Sequence, residues 1–310
     1  DQSVKCWGRN TVGQIGLGNQ STTNDILTPH LVNFPGSSKP VGIFGGLKSF
    51  CATMDNDSLA CWGENQNGQL GLGNTSNQLS PTYLTIPNGR NVISLDIGKH
   101  FMCLSYDNGS VACTGENSES QLGLGNTTSS STLQYVTGID VDVYRVDAAQ
   151  KVGCAHLTNG SVVCWGKDEW GLFGYTTSGV TSNTADRYPN FGTGRTAASI
   201  SVGFAHACAV LDTGSLACWG KNNKAQLGLG NTTQQWIPVV ASNVSTLYKF
   251  TVSEQLVDPA NEDFRPKWGS TLHRYNAGAY DADDSNPWTA GISWTYTKPD
   301  APVAGCMLDY

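Results

Sequence analysis

The sequence predicts an all-β fold in which six repeats close into a ring. A unit of two short strands, a tight turn and a glycine-rich corner recurs along the chain, and its clearest copy runs from Cys208 to Asn231. The distance between copies is nearly constant, and the cysteines follow the same spacing. A fixed period of this length is typical of repeat architectures, in which each unit must stack on its neighbours to bury its apolar face.

Each copy of the repeat predicts a β-hairpin followed by a corner. The copy at Cys208 reads CAVLDTGSLACWGKNNKAQLGLGN, close copies begin at Cys51 and Cys103, and a looser one begins at Cys154. Residues 3–19 hold only the second half of a copy, SVKCWGRNTVGQIGLGN. Small and branched apolar residues fill the two strands, and Asp, Asn and Gly occupy the turn between them, as a hairpin requires.

The Trp-Gly step inside each copy measures the period. The step recurs at Trp7, Trp62, Trp165, Trp219 and Trp268, and Thr114 takes the place of tryptophan in the third copy. Successive steps are 55, 52, 51, 54 and 49 residues, and the 42 residues after Trp268 plus the first 7 make 49. Six steps therefore consume the 310 residues, which a closed ring requires and a linear solenoid does not. We expect one domain, 1–310, of six repeats of about 52 residues, with a degenerate sixth repeat at 243–305.

The ten cysteines predict five disulfides, each across one hairpin. Four pairs stand ten residues apart, and Cys6 and Cys306 are also ten apart when counted through the two ends of the chain. The sixth copy has Val257 and Lys267 at these positions, so both members are absent together. Directly opposed strand residues are close enough for a disulfide. The predicted bonds are Cys6–Cys306, Cys51–Cys61, Cys103–Cys113, Cys154–Cys164 and Cys208–Cys218.

The motif CWGxNxxGQLGLGN, preceded by a short hydrophobic hairpin, resembles the repeat of the regulator of chromosome condensation family. The resemblance covers residues 1–240 well and 241–305 poorly. It implies a β-propeller of four-stranded antiparallel blades around a central axis. With six repeats we expect six blades, closed by pairing of the N- and C-terminal strands. The best-known family members have seven blades, and cysteine pairs are not general among them, so the count and the disulfides depart from the family.

Charge and cysteine content restrict the compartment and the partners. The formal net charge is −7 and the isoelectric point about 5.1, which argues against nucleic acid and anionic membrane surfaces as partners. Nuclear family members exchange nucleotide on a small GTPase and bind chromatin, and we do not expect those roles here. No run of 18 apolar residues is present, so membrane insertion is not expected. Five cysteine pairs require an oxidising compartment, so we expect a secreted, extracellular chain whose leader has been removed.

Eight Asn-x-Ser/Thr sequons fit that compartment. One set follows the Gly-Leu-Gly corner and a second set lies at hairpin tips, where Asn and Ser also suit the turn by themselves. Covalent N-glycans are therefore expected on one or both sets. The corner set is Asn19, Asn74, Asn126 and Asn231, the tip set is Asn56, Asn108 and Asn159, and Asn243 belongs to neither.

The fourth and sixth copies depart from the repeat and concentrate aromatic residues. A lectin should repeat its binding aromatics in every blade, whereas a protein contact needs only one or two patches. We therefore expect Trp170, Tyr175, Trp288 and Trp294 to contact a protein partner or a second copy. Drift of these loops without any role is the alternative.

The sequence contains little that indicates catalysis. The five histidines are scattered without metal-ligand spacing, and Asp281, Asp283 and Asp284 lack the glycine and distal glutamate of a calcium loop. No nucleophile elbow, phosphate loop or dinucleotide fingerprint is present. We expect no enzyme activity, no metal and no cofactor. The leading hypothesis is a non-enzymatic extracellular building block of a filament or coat, and the alternative is a secreted binding module such as a lectin, an enzyme inhibitor or a receptor ectodomain.

Overall fold

The computed structural model describes residues 3–21, 25–175, 179–241, 256–258, 263–266 and 305–309, the last three ranges by their backbone alone. The described chain is all-β, with 21 strands and one short 3-10 turn at Pro87–Gly89. The fourth copy's corner is described except for 176–178, whereas most of the degenerate sixth repeat lies outside the described residues.

Four of the sheets have four antiparallel strands in meander order. Sheet B contains β3 (Pro40–Gly45), β4 (Ser49–Met54), β5 (Leu59–Gly63) and β6 (Gln78–Leu84). Sheet C contains β7 (Val92–Ile97), β8 (Phe101–Tyr106), β9 (Val111–Gly115) and β10 (Ser130–Tyr135). Sheet D contains β11 (Val143–Ala148), β12 (Val152–Leu157), β13 (Val162–Lys167) and β14 (Thr181–Arg187). Sheet E contains β15 (Ala197–Val202), β16 (His206–Leu211), β17 (Leu216–Gly220) and β18 (Gln235–Val240).

Two smaller sheets involve the degenerate region and the two ends of the chain. Sheet A orders β21 (Gly305–Asp309), β1 (Ser3–Gly8) and β2 (Ile26–Leu31). Its β1 and β21 are antiparallel neighbours with Cys6 opposite Cys306, so the expected pairing of these two strands is present. A two-stranded sheet pairs β19 (Leu256–Asp258) with β20 (Asp263–Pro266). The four-stranded antiparallel architecture is thus confirmed, whereas six blades and a closed ring stay predictions.

The hairpins have the register that the cysteine spacing predicts. Disulfides join Cys51 to Cys61, Cys103 to Cys113, Cys154 to Cys164 and Cys208 to Cys218, between directly opposed residues whose Cα atoms lie 4.0–4.1 Å apart. Cys6 is also disulfide-bonded. At the turns, Gly109, Gly160 and Gly214 have φ between 76° and 79°, and Asp57 has φ 63°. These left-handed positions explain why three of the four turns use glycine.

The hydrophobic cores lie between neighbouring sheets. Each of four buried clusters joins one sheet to the next: A to B, B to C, C to D and D to E. The cluster between sheets A and B, for example, packs Val4 and Ile15 against Phe50 and Trp62, all at most 6 % exposed. No sheet therefore has a sufficient core of its own, and the stability of each depends on its neighbours.

Candidate protein-binding surface at the fourth corner

We call the loop after each Trp-Gly strand its corner: residues 9–25 in sheet A, 64–77 in B, 116–129 in C, 168–180 in D and 221–234 in E. A corner packs on the outer strand of the following sheet. The backbone N–H of Gly18 donates to Leu79 of β6 at 2.7 Å, and that of Gly73 donates to Ser131 of β10 at 2.8 Å. A Cβ added at Gly68 would lie 2.6 Å from Ser131, so glycine lets the corner of sheet B approach this strand closely.

One buried asparagine holds each regular corner together. In sheet B the amide of Asn65 donates to the backbone oxygens of Asn74 and Ser76 at 3.0 and 3.1 Å, and its side-chain oxygen accepts the N–H of Leu70 at 2.9 Å. The same pattern recurs in sheets C and E at Asn117 and Asn222, and in part in sheet A at Asn10. The first asparagine of the motif GxNxxGQLGLGN is thus fixed by backbone groups that would otherwise be buried and unpaired.

The corner of sheet D is built differently. Asp168 replaces the buried asparagine, and its carboxylate accepts the N–H groups of Leu172 and Phe173 at 2.6 and 3.2 Å. Burial raises the pKa of Asp168, and these backbone N–H groups oppose that shift. An ionised aspartate cannot donate a hydrogen bond, so it cannot bond the backbone carbonyls that the asparagine amide bonds in the other corners. Tyr175 stands at the place of a leucine in the other corners, such as Leu72, and is 45 % exposed. The place of the sequon asparagine is taken by Thr177, which lies outside the described residues.

Exposed aromatic and branched side chains surround this corner. Tyr188 follows β14 and is 50 % exposed, and Trp236 on β18 is 37 % exposed. A Cβ at Gly171 would lie 2.7 Å from the Trp236 ring, so the corner and β18 are in contact. We define the aromatic surface as the exposed residues of this corner, of the segment after β14 and of β18: Tyr175, Tyr188, Trp236, Ile237 and Val240.

Two of the four residues predicted to bind a partner are described. Tyr175 lies on the aromatic surface, but Trp170 is only partly exposed, because its ring packs on the core between sheets D and E. Lys221 Nζ lies 4.4 Å from the centroid of that ring, in a cation–π contact, and the Gln234 side chain donates to the Trp170 carbonyl at 2.8 Å. Trp170 therefore supports the corner. Trp288 and Trp294 lie outside the described residues, so their predicted role stays a prediction.

Sequence reasoning missed Trp236. Trp236 lies in a regular copy, QWIPVV, where nothing marks it as different from the outer strands of other sheets. The signal that could have found it is the run of apolar residues in a strand that has no further strand beside it.

The sequon asparagines lie on two opposite ends of the Trp-Gly strands. Corners follow each strand and tips precede it, so the two sets face away from each other. All seven sequon asparagines in the described range are exposed: Asn19, Asn56, Asn74, Asn108, Asn126, Asn159 and Asn231. Asn243 lies outside that range. Glycosylation at every one of these positions stays a prediction.

Charged side chains near the corners pair with one another across the sheets. Glu119 of sheet C accepts from Lys151 and Lys167 of sheet D at 3.2 and 2.8 Å, and Lys151 also bonds Glu169 at 2.8 Å. The Lys167 hydrogen bond is the main cause that lowers the pKa of Glu119. Each ion pair is partly exposed and contributes little to stability, so this network fixes geometry more than it adds energy.

Within the described residues no group of three or more potential metal ligands comes together, and no helix of that part is long and apolar enough to cross a membrane. His156 is buried, contacts Tyr144 and bonds the Ala197 carbonyl through Nε2 at 2.8 Å, and burial lowers its pKa to about 3. This histidine therefore stays neutral and has a packing role.

Comparison with known proteins agrees with the repeat and the fold. Models of the regulator of chromosome condensation (RCC1) repeat match residues 3–52, 57–104, 213–252 and 197–226. The chain contains RCC1 repeats. The ultraviolet-B receptor UVR8 of Arabidopsis thaliana is 25 % identical over 279 residues, which is 88 % of this chain and 61 % of the receptor.

Two solved structures share the fold. Human WBSCR16 superposes with a TM-score of 0.67 at 21 % identity, covering 77 % of this chain and 62 % of that one. Prp20p of Saccharomyces cerevisiae, whose structure was described with its binding to Gsp1p and histones, gives 0.59 at 15 % identity over 79 % and 75 %. The chain spans less than two thirds of UVR8 and of WBSCR16.

Proposed function

We propose that this chain is a non-enzymatic extracellular glycoprotein that assembles through protein–protein contacts of a rigid RCC1-repeat propeller. The aromatic surface at the fourth corner carries this proposal. It is apolar and exposed, and it includes the one described corner that departs from the repeat, as a specific contact patch would. Relatives of the family bind proteins, as the description of Prp20p states for Gsp1p and histones, and this chain would bind a different partner because its charge is −7.

The disulfides support an extracellular location. Each of the sheets B to E has one, and all described cysteines are bonded. Thiols stay reduced in the cytosol and the nucleus, whereas such bonds persist in secreted proteins. The similarity to UVR8 extends over most of this sequence and carries no information about the compartment.

A six-bladed ring would complete the scaffold. In β16 the side chains of Ala207, Ala209 and Leu211 are buried, whereas those of Cys208 and Val210 on the other face are only half-buried. In β1 the side chains of Val4 and Cys6 are buried, whereas Lys5 and Trp7 are half-buried. Sheets E and A thus each have one incompletely covered face, and residues 243–305 are enough for one further repeat between them.

A secreted binding module, such as a lectin, an enzyme inhibitor or a receptor ectodomain, is the alternative. A lectin built on repeats would place the same aromatic residue in each sheet. The tyrosine at position 175 has leucine counterparts in the other corners, so the described sheets favour a protein contact over a repeated sugar site.

Self-association of the secreted chain tests the proposal. We expect sedimentation velocity to show concentration-dependent oligomers, and electron microscopy to show regular assemblies. The double variant Tyr175→Ser/Trp236→Ser should weaken association at least tenfold. Tyr135→Ser is the matched control, because Tyr135 is also 45 % exposed but lies on sheet C, and it should associate normally. A wild-type chain that stays monomeric at all concentrations contradicts assembly and favours the alternative, a secreted binding module.

A further inference from the structure

In the corner sequons, the hydrogen bonds of the fold explain why an asparagine is present, but not why a serine or threonine follows two residues later. The fold explains the asparagine: in sheet C, Asn126 Oδ1 accepts the N–H of Thr128 at 2.8 Å, and its backbone oxygen accepts from Asn117 at 3.0 Å. Within the described residues the hydroxyl groups of Ser76, Thr128 and Thr233, two residues further on, make no hydrogen bond. The hydrogen bonds of the described structure therefore do not explain why a hydroxyl residue recurs at this place in three corners.

Two of the three tip sequons show the opposite pattern, whereas in the third Ser161 bonds Asn159 only through its backbone N–H, at 2.9 Å. Ser58 Oγ donates to Asn56 Oδ1 at 2.6 Å, and Ser110 Oγ donates to Asn108 Oδ1 at 2.7 Å, so the hydroxyl has a bond in these turns. The tip of sheet E keeps that serine as Ser215 although Thr213 replaces the asparagine, which leaves no sequon there. The tip serine therefore recurs for the turn itself.

The corner asparagines are held in a geometry that can carry a sugar. Asn126 Nδ2 donates to the Leu124 carbonyl at 3.3 Å, and Asn231 Nδ2 donates to Leu229 at 3.3 Å. Each amide nitrogen has two hydrogens, so one remains after this bond. Both residues are exposed, which leaves space for a bulky substituent.

We propose that the corner asparagines Asn19, Asn74, Asn126 and Asn231, rather than the tip asparagines, carry N-linked glycans, and that the fourth corner is left bare. The step needs a lipid-diphosphate oligosaccharide as donor. Asn Nδ2 forms a bond to the anomeric carbon, the bond from that carbon to the diphosphate oxygen breaks, and the lipid diphosphate leaves with the electron pair. One Nδ2 proton goes to a base of the transferase, and the other hydrogen keeps the bond to the leucine carbonyl.

The bare fourth corner follows from its sequence. Thr177 occupies the position at which the other corners have the sequon asparagine, so this corner has no sequon, and Tyr175, two residues earlier, belongs to the aromatic surface. Sugars on the neighbouring corners would shield their surroundings and leave this one accessible. The inference thus rests on the proposed extracellular function, and it explains why the contact surface lies at this corner.

Site occupancy in one secreted preparation tests the proposal. The full chain is secreted from a eukaryotic cell line behind an added signal peptide, and glycopeptides are quantified by mass spectrometry. We expect more than half occupancy at each corner site and less than half at each tip. Equal or higher occupancy at the tips, or no sugar at any site, overturns the proposal. The readout is independent of self-association, so failure of assembly does not affect it.

Hydroxyl variants give a matched comparison that spares the asparagines. Ser76→Ala, Thr128→Ala and Thr233→Ala should each remove one step of electrophoretic mobility that an N-glycan-cleaving enzyme otherwise removes. Ser58→Ala and Ser110→Ala should leave the mobility unchanged. Thr177→Asn with Gly179→Ser creates the sequon Asn-Ser-Ser at the place of the corner asparagines and should add one step, whereas Thr177→Asn alone should not. If the double variant adds no sugar, the fourth corner is not equivalent to the others and the inference is wrong.

Discussion

The indole Nε1 of Trp165 donates a hydrogen bond of 2.9 Å to the backbone carbonyl of Gln121, which lies in the corner of the preceding sheet. Both atoms are buried, and the bond joins sheet D to sheet C. Trp62 and Trp219 make the same bond to Gln14 and Leu172, at 3.1 and 2.9 Å. Where the third copy has Thr114, its hydroxyl donates to Gly68 at 2.9 Å instead. The tryptophan of the repeat is thus a bond between sheets as well as a core residue.

Replacing Trp165 by phenylalanine should destabilise the chain by about 1–3 kcal/mol, because the Gln121 carbonyl would be left buried without a donor. Urea unfolding followed by circular dichroism measures the change. Trp236→Phe is the control, since Trp236 is 37 % exposed, and it should change the free energy of unfolding by less than about 0.5 kcal/mol. Equal effects of the two variants would contradict a role of the bond.

Removing one hairpin disulfide should lower stability by a moderate amount. The bond Cys103–Cys113 closes a short loop with a sequence separation of 10, so Cys103→Ala with Cys113→Ala should cost about 2–3 kcal/mol. Urea unfolding of the oxidised protein measures it. Asp107→Ala at the exposed tip of the same hairpin is the control and should stay within about 0.5 kcal/mol of the wild type. A double variant that unfolds at the wild-type midpoint would show that the bond adds nothing.

The cross-strand bond at Cys6 should lie within one chain. Cys6 is disulfide-bonded, and Cys306 lies opposite it in the β1–β21 ladder. Denaturing electrophoresis without reductant should therefore give a single monomer band, and peptide mapping should recover residues 6 and 306 in one linked fragment. A covalent ladder that collapses to one band on reduction would place this bond between copies instead.

Replacing Asn117 by aspartate should weaken the corner of sheet C. Its amide donates to Asn126 and Thr128 at 3.0 Å, and a carboxylate cannot. The Leu122 N–H would keep its acceptor, as Leu172 does with Asp168 in sheet D. We expect a loss of about 1–3 kcal/mol, measured as a shift of the urea midpoint. The exposed Gln66→Ala is the control, and a similar loss there would mean that the corner tolerates neither change.

Stability should depend on pH through Asp96 of β7. Its carboxylate accepts the N–H groups of Ile97 and Ala148 at 2.9 and 2.7 Å, so it bridges sheets C and D. Burial and the nearby Asp147 raise the pKa of Asp96 from 3.8 to about 7, although Arg145 and the two N–H groups oppose the shift. Since the folded state binds this proton more tightly, its stabilising contribution is present below pH 4 and is lost as pH rises through 7.

The variant Asp96→Asn should remove this dependence. Thermal unfolding at several pH values between 5 and 8 should show wild-type stability falling relative to Asp96→Asn as pH rises. Ser94→Ala is the control, because Ser94 Oγ accepts the Val146 N–H at 3.2 Å in the same junction but does not titrate. That variant should lower stability equally at every pH. A constant difference between wild type and Asp96→Asn would contradict the raised pKa.

The sequence by itself determined the hairpins, their register and the disulfides, because these depend on local spacing. A turn glycine at Gly109 and two cysteines ten residues apart fix which strand residues face each other, whatever surrounds them. The buried role of the motif asparagine, such as Asn65, could not be read from its spacing, since its partners depend on how the corner folds back.

Only the tertiary structure decided which side chains stay exposed. Trp170 and Trp236 are both tryptophans in the corner and outer strand of neighbouring sheets, yet one supports the core and the other lies on the aromatic surface. Burial depends on the packing of one sheet against the next, and the residues that meet, such as Gly171 and Trp236, are far apart in the chain. Local periodicity contains no information about such contacts, so the exposed residues could be identified only from the three-dimensional structure.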